Sequence, residues 1–250
     1  MACRNPRKAQ TARESIVASS GSKLVSVIGI DLAKMKHVTK FVDNFKEKFD
    51  HVDVLINNAA IGMKDATNVR QETAEGLEKM LATNHLGPLH LTSRLLPLLS
   101  ADGVVVTMTG NPNNTKDVDV ENMNSEVNYD PSTLYEISKH LLMLGTRELA
   151  RRLSSSRPGL AFYSVDPGFT WTDLHTGWGV WLAGPFLGAS WSTTAARTPV
   201  WLAGGGGRLS DGGKGEIWTH CDHGEKSGAH RIQREVWEES QKWINRALSS

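Results

Sequence analysis

The sequence predicts an α/β fold, a doubly wound parallel sheet with helices on both faces. Two observations lead to this prediction. Short, β-branched apolar runs recur along the chain, and segments with apolar residues at helical spacing separate them. Runs that are apolar throughout are typical of strands buried on both faces, as in a parallel sheet. A chain of 250 residues is long enough for one such domain and too short for two, so we treat residues 1–250 as one domain.

Strand and helix alternate from residue 24 to the end of the chain. The run LVSVIGI predicts a strand, and VDVLI, VVVTM and LAFYSV repeat its apolar character. Between them, apolar residues at helical spacing, such as Val38, Phe41, Val42 and Phe45, predict amphipathic helices. The predicted elements, in order, are strand 24–30, helix 38–49, strand 52–56, helix 74–99, strand 104–108, helix 132–153, strand 160–165, helix 194–203, strand 216–219 and helix 234–248.

Charge and cysteine content exclude several classes of protein. The formal net charge is +1 and no long run of one sign occurs, so nothing indicates nucleic acid or an anionic membrane as a partner. Cys3 and Cys221 lie far apart and form no disulfide framework, which predicts a reducing, cytoplasmic environment. No stretch reaches the roughly 18 to 20 apolar residues of a membrane span, and the first residues contain no apolar signal core.

The strongest chemical signal is the sequence Tyr135-Glu-Ile-Ser-Lys139. Four residues apart on a helix, Tyr135 and Lys139 share one face, with about 5–6 Å between their Cβ atoms. A free phenol has a pKa of about 10 and a nearby ammonium lowers it, which suits proton exchange with a hydroxyl or carbonyl near neutral pH. On its own, such a pair is more often a half-buried tyrosine beside a solvated lysine.

The position of this pair in the predicted sheet favours the catalytic interpretation. Asn57 opens NNAA at the carboxyl end of one strand, Asn84 lies in TNHLG on the following helix, and DPGFTWT follows strand 160–165. Ligands of open α/β sheets bind at the carboxyl ends of the strands. We therefore expect these segments and Tyr135 to border one crevice.

The order NNAA, TNHLG, YEISK and DPGFTWT resembles the short-chain dehydrogenase/reductase family, and ACRNPRKA and TRELARRL resemble its retinol-dehydrogenase-like branch. The resemblance implies a Rossmann-type, nicotinamide-dependent oxidoreductase. Tyr135 would then be the proton donor or acceptor, Lys139 would lower its pKa and bind the nicotinamide ribose, and Asn84 would hold a water in the proton relay. Family members often pair through the helices carrying Asn84 and Tyr135, so a homodimer is implied as well.

The resemblance also assigns residues to the cofactor. Arg4 occupies the place where this branch often carries an arginine for a 2′-phosphate, which favours NADP over NAD because Arg can pair a phosphate bidentately. A disordered terminal cation is the alternative for Arg4. The other implied contacts are Asp31 at the adenine, Asn57 and Ala59 against the dinucleotide, Lys139 at the ribose, and Pro167, Gly168 and Thr172 at the nicotinamide.

The chain departs from the family's pattern in two ways. First, nothing before Asn57 supplies the glycine-rich turn that brings backbone N–H groups to the pyrophosphate, since Gly21, Gly29 and Gly62 are scattered. We expect an N-terminally truncated chain that lacks the first strand of the fold. Its central strands should expose apolar edges, and it should bind cofactor weakly.

Second, alignment by eye puts Gly110 where the family usually carries a serine whose hydroxyl bonds the substrate oxygen. Thr109, just before it, is a candidate substitute donor. The alternative is that Thr109 ends its strand without a catalytic role.

The region after residue 168 is rich in glycine and tryptophan. Residues 177–191 are expected to form a substrate lid, which would suit an apolar substrate; contact with a membrane surface and a packed loop are the alternatives. Residues 204–215 read as a glycine-rich loop. His220, Cys221 and His223 share one short stretch without a partner cluster, which is poor zinc spacing, so we predict no metal site.

These patterns together predict an NAD(P)-dependent oxidoreductase that interconverts an alcohol and a carbonyl on an apolar small molecule. The alternative is a catalytically inactive or fragmentary homologue that acts as an interaction protein and does not bind cofactor normally.

Overall fold

The computed structural model describes residues 1–62, 69–110, 118–167, 170–171, 190–191, 195–205, 218–220 and 227–250. The strands are β1 Ala2–Cys3, β2 Ile28–Gly29, β3 Val52–Asn57, β4 Leu99–Met108, β5 Ala161–Val165, β6 Thr170–Trp171, β7 Ser190–Trp191 and β8 Trp218–His220. The helices are α1 Pro6–Ser20, α2 Met35–Lys46, α3 Lys79–Leu81, α4 Gly87–Leu95, α5 Pro131–Leu153, α6 Arg197–Ala203 and α7 Ser227–Ser249, with a π-helical turn at Ala82–Leu86 and a 3₁₀ turn at Leu96–Leu98.

The main sheet has four strands in the order β3-β4-β5-β8. β3, β4 and β5 run parallel, with Ile56 opposite Val106 and Val106 opposite Tyr163, which confirms the predicted parallel core. The predicted last strand 216–219 is present as β8, which runs antiparallel to β5, with His220 opposite Tyr163. Otherwise parallel sheets commonly accept an antiparallel strand at the edge, where it has only one neighbour to match.

Helices cover both faces of this sheet, as predicted. Val105 of β4 packs with Leu149 of α5, whereas Val106 packs with Leu202 of α6. Successive side chains of a strand point to opposite faces, so α5 and α6 lie on opposite sides of the sheet. The core therefore consists of two apolar layers with the strands between them.

The front of the chain forms a sheet of its own. β1 pairs with β2 in parallel, and neither belongs to the sheet that contains β3. The predicted strand 24–30 shrinks to Ile28–Gly29, and Leu24 is 94% exposed. An apolar run does not suffice for a strand when no neighbouring strand or helix covers its first residues.

Helix α1 was not predicted from the sequence, because its apolar residues are few. Its local signals are nevertheless clear: the Asn5 side chain accepts from the Lys8 N–H, Pro6 stands in the first turn, and Gly21 ends the helix with φ 70°. These are the N-cap, N1 and C′ preferences of helices, and Gly21 is needed because L-residues avoid positive φ. Capping residues rather than amphipathic periodicity define this helix.

The predicted helix 74–99 is broken into shorter pieces. α3, the π-helical turn, α4 and the 3₁₀ turn follow one another, and the chain then enters β4 at Leu99. Pro88 has no backbone N–H and cannot donate to the carbonyl of Asn84, four residues earlier, which an α-helix would require. In the π-helical turn the Gly87 N–H instead reaches the Ala82 carbonyl, five residues back.

The front sheet is joined to the main sheet by helix packing. α2 packs on α4 through Phe41 and Leu91, and a Cβ added at Gly87 would lie 2.2 Å from the Leu32 carbonyl oxygen. The chain after β2 thus rests directly on the first residue of α4, where only glycine leaves room. The Thr39 hydroxyl and His90 Nε2 add a hydrogen bond of 2.9 Å across this joint.

Candidate active site

The carboxyl ends of β3, β4 and β5 meet at one edge of the main sheet because these strands are parallel. Asn57 ends β3, Thr109 follows β4, and Asp166 follows β5. Thr109 N–H donates to the Val165 carbonyl at 2.8 Å, which continues the β4–β5 ladder one residue past the last pair. This edge is where the sequence predicted a crevice.

Lys139 lies under this edge and is buried. Its Nζ donates to the Met108 carbonyl at 2.8 Å, at the last residue of β4. Burial lowers the Lys139 pKa from 10.5 to about 8, since the charged form loses hydration. An ammonium has three donors, and the Met108 carbonyl uses one of them.

Tyr135 is half-buried on the same helix, one turn before Lys139. It packs against an apolar cluster that includes Ile61, Met80 and Leu134. Burial, and then the negative charge of Asp166, raises the Tyr135 pKa above its usual value of 10.0. Burial disfavours the phenolate, and the charge that acts on the phenol is an anion, so the direction of this pKa shift is opposite to the lowering expected from Lys139.

Asn84 is fully buried in the π-helical turn and uses its side chain as a clamp. Its Nδ2 donates to the Ile61 carbonyl at 3.0 Å and to the Ser138 hydroxyl at 3.1 Å, and its Oδ1 accepts from the Ile61 N–H at 2.9 Å. Both amide N–H groups are thus engaged. The side chain joins the segment after β3 to α5 between Tyr135 and Lys139, so its contribution to any water relay would come through positioning or through its backbone.

Thr109 turns its hydroxyl toward the strands. Oγ1 donates to the Val165 carbonyl at 3.3 Å, and the residue is buried. That bond occupies its only hydrogen, so a bond to substrate would require rotation of the side chain. Among the described residues, a Cβ added at the neighbouring Gly110 would meet Lys139 Cβ alone, at 3.7 Å. The position aligned by eye with the family's serine thus adjoins Lys139, and the neighbours described there would allow a Cβ in ordinary van der Waals contact.

Of the other residues predicted to contact the cofactor, the structure describes Asn57, Ala59 and Pro167 at this edge. The Asn57 amide is buried and donates to the Thr92 hydroxyl at 2.9 Å, so it braces β3 against α4. Ala59 is exposed just past the strand, and Pro167 follows β5. Gly168 and Thr172 lie outside the described residues, as do residues 177–189 of the predicted lid and 206–215 of the glycine-rich loop.

Arg4 and Asp31 belong to the front sheet instead. Arg4 is exposed between β1 and α1, and no bond to it is found in the part of the chain that the structure describes. Asp31 follows β2 and stabilises its own turn: Oδ1 accepts from the Ala33 N–H at 3.2 Å and Oδ2 lies 3.7 Å from Lys34 Nζ. Over the residues that the structure describes, no shared contact joins Arg4 or Asp31 to Tyr135 or Lys139.

Two residues of the site escaped the sequence analysis. Ser138 connects Asn84 to α5 and donates to the Tyr135 carbonyl at 2.8 Å, and Asp166 influences the Tyr135 phenol. The position of Ser138 directly before Lys139 and of Asp166 at the strand end were available signals. Within the described ranges, no three or more side chains of the metal-binding types cluster, and no helix is long and apolar enough to cross a membrane.

Comparison with known proteins shows the family. The family model described as "short chain dehydrogenase" matches residues 1–182. Human retinol dehydrogenase 11 is 33% identical over 186 residues, covering 73% of this chain, and human polyprenol dehydrogenase is 28% identical over 253 residues, covering 94% of this chain and 74% of its own length. The chain belongs to the short-chain dehydrogenase family.

Solved structures agree with the fold. The crystal structure of an uncharacterised protein from Mycobacterium paratuberculosis matches with a TM-score of 0.70 and 26% identity, covering 98% of this chain and 83% of that one. The present chain covers 57% of the length of human retinol dehydrogenase 11.

Proposed function

We propose that this protein is an NAD(P)-dependent oxidoreductase that interconverts an alcohol and a carbonyl on an apolar small molecule. The observation that carries the proposal is the arrangement at the end of β4. Tyr135 and Lys139 share α5, Lys139 Nζ is held at the Met108 carbonyl, and Asn84 ties this part of α5 to the segment after β3. A titratable phenol and a buried ammonium one helical turn apart suit acid–base chemistry on a substrate oxygen.

The roles of these residues follow from their chemistry. A bound nicotinamide would supply the hydride acceptor or donor. In carbonyl reduction Tyr135 would donate its proton to the substrate oxygen, and its raised pKa keeps it protonated at neutral pH. Lys139, with a pKa of about 8, would place a cation near the developing phenolate and offer its remaining N–H groups to ribose hydroxyls.

The residues present fit the nicotinamide half of the cofactor better than its phosphates. Lys139 and the ends of β3 and β5 lie at one edge, whereas the exposed Arg4 lies on the front sheet, separate from it. Arg4 supports NADP through its charge and its place after β1, where a guanidinium could pair a 2′-phosphate. The NADP preference rests on that residue alone.

Two relatives are named for apolar alcohols, retinol and polyprenol. Together with the apolar composition of residues 177–191, these names support an apolar alcohol or its carbonyl as substrate. They also favour the oxidoreductase over the inactive homologue. For the implied homodimer, α7 matters: Ile244 and Ala247 pack with Leu141 and Leu144 of α5, so pairing through that face of α5 would have to displace α7.

The test is turnover of an apolar alcohol or aldehyde with NADPH or NADH by the purified protein and by Tyr135→Phe. The variant should lose about 10²- to 10⁴-fold in rate, the usual contribution of a general acid or base. Its free energy of unfolding should change by about 1 kcal/mol or less, since one half-buried hydroxyl is removed. Tyr129→Phe, in the same apolar cluster, is the matched control and should keep its activity. Equal rates for wild type and Tyr135→Phe would remove Tyr135 from the mechanism.

A further inference from the structure

The C-terminal helix α7 reaches the π-helical turn that carries Asn84. His85, the next residue, is fully buried, and its Nε2 lies 2.7 Å from the Ser240 hydroxyl of α7. The two residues are 155 positions apart in the chain. This bond is a polar contact inside an otherwise apolar interface, in which Val236 and Ile244 pack with Leu81 and Leu86.

The hydrogen-bond network defines the protonation of His85. The Ser240 hydroxyl donates to the Val236 carbonyl at 2.6 Å, which uses its only hydrogen. His85 Nε2 must therefore carry a hydrogen and donate to Ser240 Oγ, and Nδ1 is an acceptor without a partner among the described residues. The Ser240 hydroxyl thus accepts a hydrogen bond from the imidazole and donates one to the Val236 carbonyl of α7.

α5 packs against the same imidazole. A Cβ added at Gly145 would lie 3.4 Å from His85 Cε1 and 3.3 Å from Leu89, tighter than most real contacts. The lack of a side chain at Gly145 lets α5 approach the turn closely. Three helical segments, from the π-helical turn, α5 and α7, therefore meet at His85.

We propose that His85 and Ser240 are positioning residues. Their hydrogen bond fixes the π-helical turn and so keeps the Asn84 side chain bonded to Ile61 and Ser138. π-helical turns are rare and persist only where surrounding contacts stabilise them. Asn84 depends on the exact rotation of its turn to reach Ile61 and Ser138 together, and the adjacent His85 anchors that turn to α7. Through Ser138, the anchor reaches the stretch of α5 between Tyr135 and Lys139. α7 is thereby a structural part of the site, although it contributes no group to it.

The proposal rests on the proposed function for its catalytic consequence, but its structural core can be tested without turnover. The measurement is the exchange rate and chemical shift of the Asn84 side-chain NH₂ in an amide NMR spectrum of the full chain. Ser240→Ala should shift both Asn84 signals and speed their exchange with water by about tenfold, as for the opening of one anchoring hydrogen bond. Ser249→Ala is the matched control, because Ser249 makes the same bond to the carbonyl four residues earlier on an exposed part of α7.

A double variant separates positioning from stability. His85→Phe with Ser240→Ala replaces both partners by apolar groups, which restores a satisfied interior and should recover most of the melting temperature lost in Ser240→Ala. If the anchor positions Asn84, the double variant still shows fast Asn84 exchange. Unchanged Asn84 shifts and exchange in folded Ser240→Ala would overturn the proposal. Where turnover is measurable, Ser240→Ala should lower kcat with KM within about twofold, as expected for a change confined to the transition state.

Discussion

Two of the described sheets, the main sheet and the front sheet, contain similar apolar residues but bury them to different extents. In the main sheet, Val105 and Val106 of β4 are fully buried between helices on both faces. In the front sheet, β2 is two residues long and Leu24 before it is 94% exposed. β3, at the edge of the main sheet, shows the same contrast, since Val54 is 37% and Ile56 is 42% exposed.

The difference teaches that apolar character alone does not bury a strand. β4 has a neighbour on each side, whereas the structure, over the residues it describes, gives β3 a partner on one side only. The front sheet is docked through α2 and Gly87 rather than through a ladder. Tyr135, Lys139 and Asn84 therefore lie on helical segments that pack on the main sheet. Arg4 and Asp31 belong to the front sheet.

The largest effect expected from this division concerns cofactor affinity. We expect residues 1–250 to bind NADPH with a dissociation constant near the millimolar range, about a thousandfold weaker than a micromolar site. The reason is that the sequence contains no glycine turn before Asn57 to meet the pyrophosphate. Titration of tryptophan fluorescence with NADPH, and with NADH in parallel, measures it. A micromolar dissociation constant would contradict this division between the sheets, because the front sheet would then have to supply the phosphate contacts.

Acid should destabilise the protein at two places: at His90, in the joint between the front and main sheets, and at His85, in the contact with α7. Burial lowers the pKa of His85 from 6.5 to about 3 and that of His90 to about 4, so the unfolded chain binds more protons than the folded one below about pH 6.5. The free energy of unfolding should therefore fall with pH from about 6.5 toward 4, by up to about 1.4 kcal/mol per pH unit for each histidine. Urea titrations across this range measure the slope.

His90→Gln should lower the slope of the free energy of unfolding against pH by the contribution of one proton, up to about 1.4 kcal/mol per pH unit. His51→Gln is the control: His51 is exposed and its pKa is raised by Asp50, so its linkage has the opposite sign and its loss should not flatten the acid limb. Parallel slopes for wild type and His90→Gln would mean that His90 accepts a proton in the folded state.

A matched pair of substitutions compares the strands directly. Ile56 and Val106 face each other in the β3–β4 ladder, but only Val106 is fully buried. Val106→Thr buries a hydroxyl and should cost about 1 to 3 kcal/mol, whereas Ile56→Thr should cost about 1 kcal/mol or less. Chemical unfolding of both variants measures these losses in the free energy of unfolding. An equally large loss of unfolding free energy in Ile56→Thr would show that Ile56 is covered in solution.

The smallest expected effect on stability is that of Gly110→Ser. Among the described residues the new Cβ would meet Lys139 Cβ alone, at 3.7 Å, so the free energy of unfolding should change by less than about 1 kcal/mol. If Gly110 occupies the place of the family's serine, as the alignment by eye predicts, the added hydroxyl should raise the turnover of any measurable substrate. Gly87→Ser is the contrasting control, because its Cβ would lie 2.2 Å from the Leu32 carbonyl oxygen. A Gly110→Ser variant that folds and gains no rate would argue against a substrate-facing role for this position.

The sequence by itself determined the parallel core and the placement of the main site residues. Apolar runs marked β3, β4 and β5, helical spacing put Tyr135 and Lys139 one turn apart, and strand-end positions marked Asn57. These properties are local: periodicity and the residue at a strand end are readable without knowing any partner. Capping signals at Asn5 and Gly21 were equally local and predict α1 once they are considered.

Only the tertiary structure decided how the site residues are used. The π-helical turn, the clamp from Asn84 to Ile61 and Ser138, and the contact of His85 with Ser240 join segments 23 to 155 residues apart. The direction of the Tyr135 pKa shift likewise depends on burial and on Asp166, which follows another strand. The antiparallel β8 and the separate front sheet depend on which edges are covered. Hydrogen-bond partners and local dielectric are set by docking, and no periodicity in the chain encodes them.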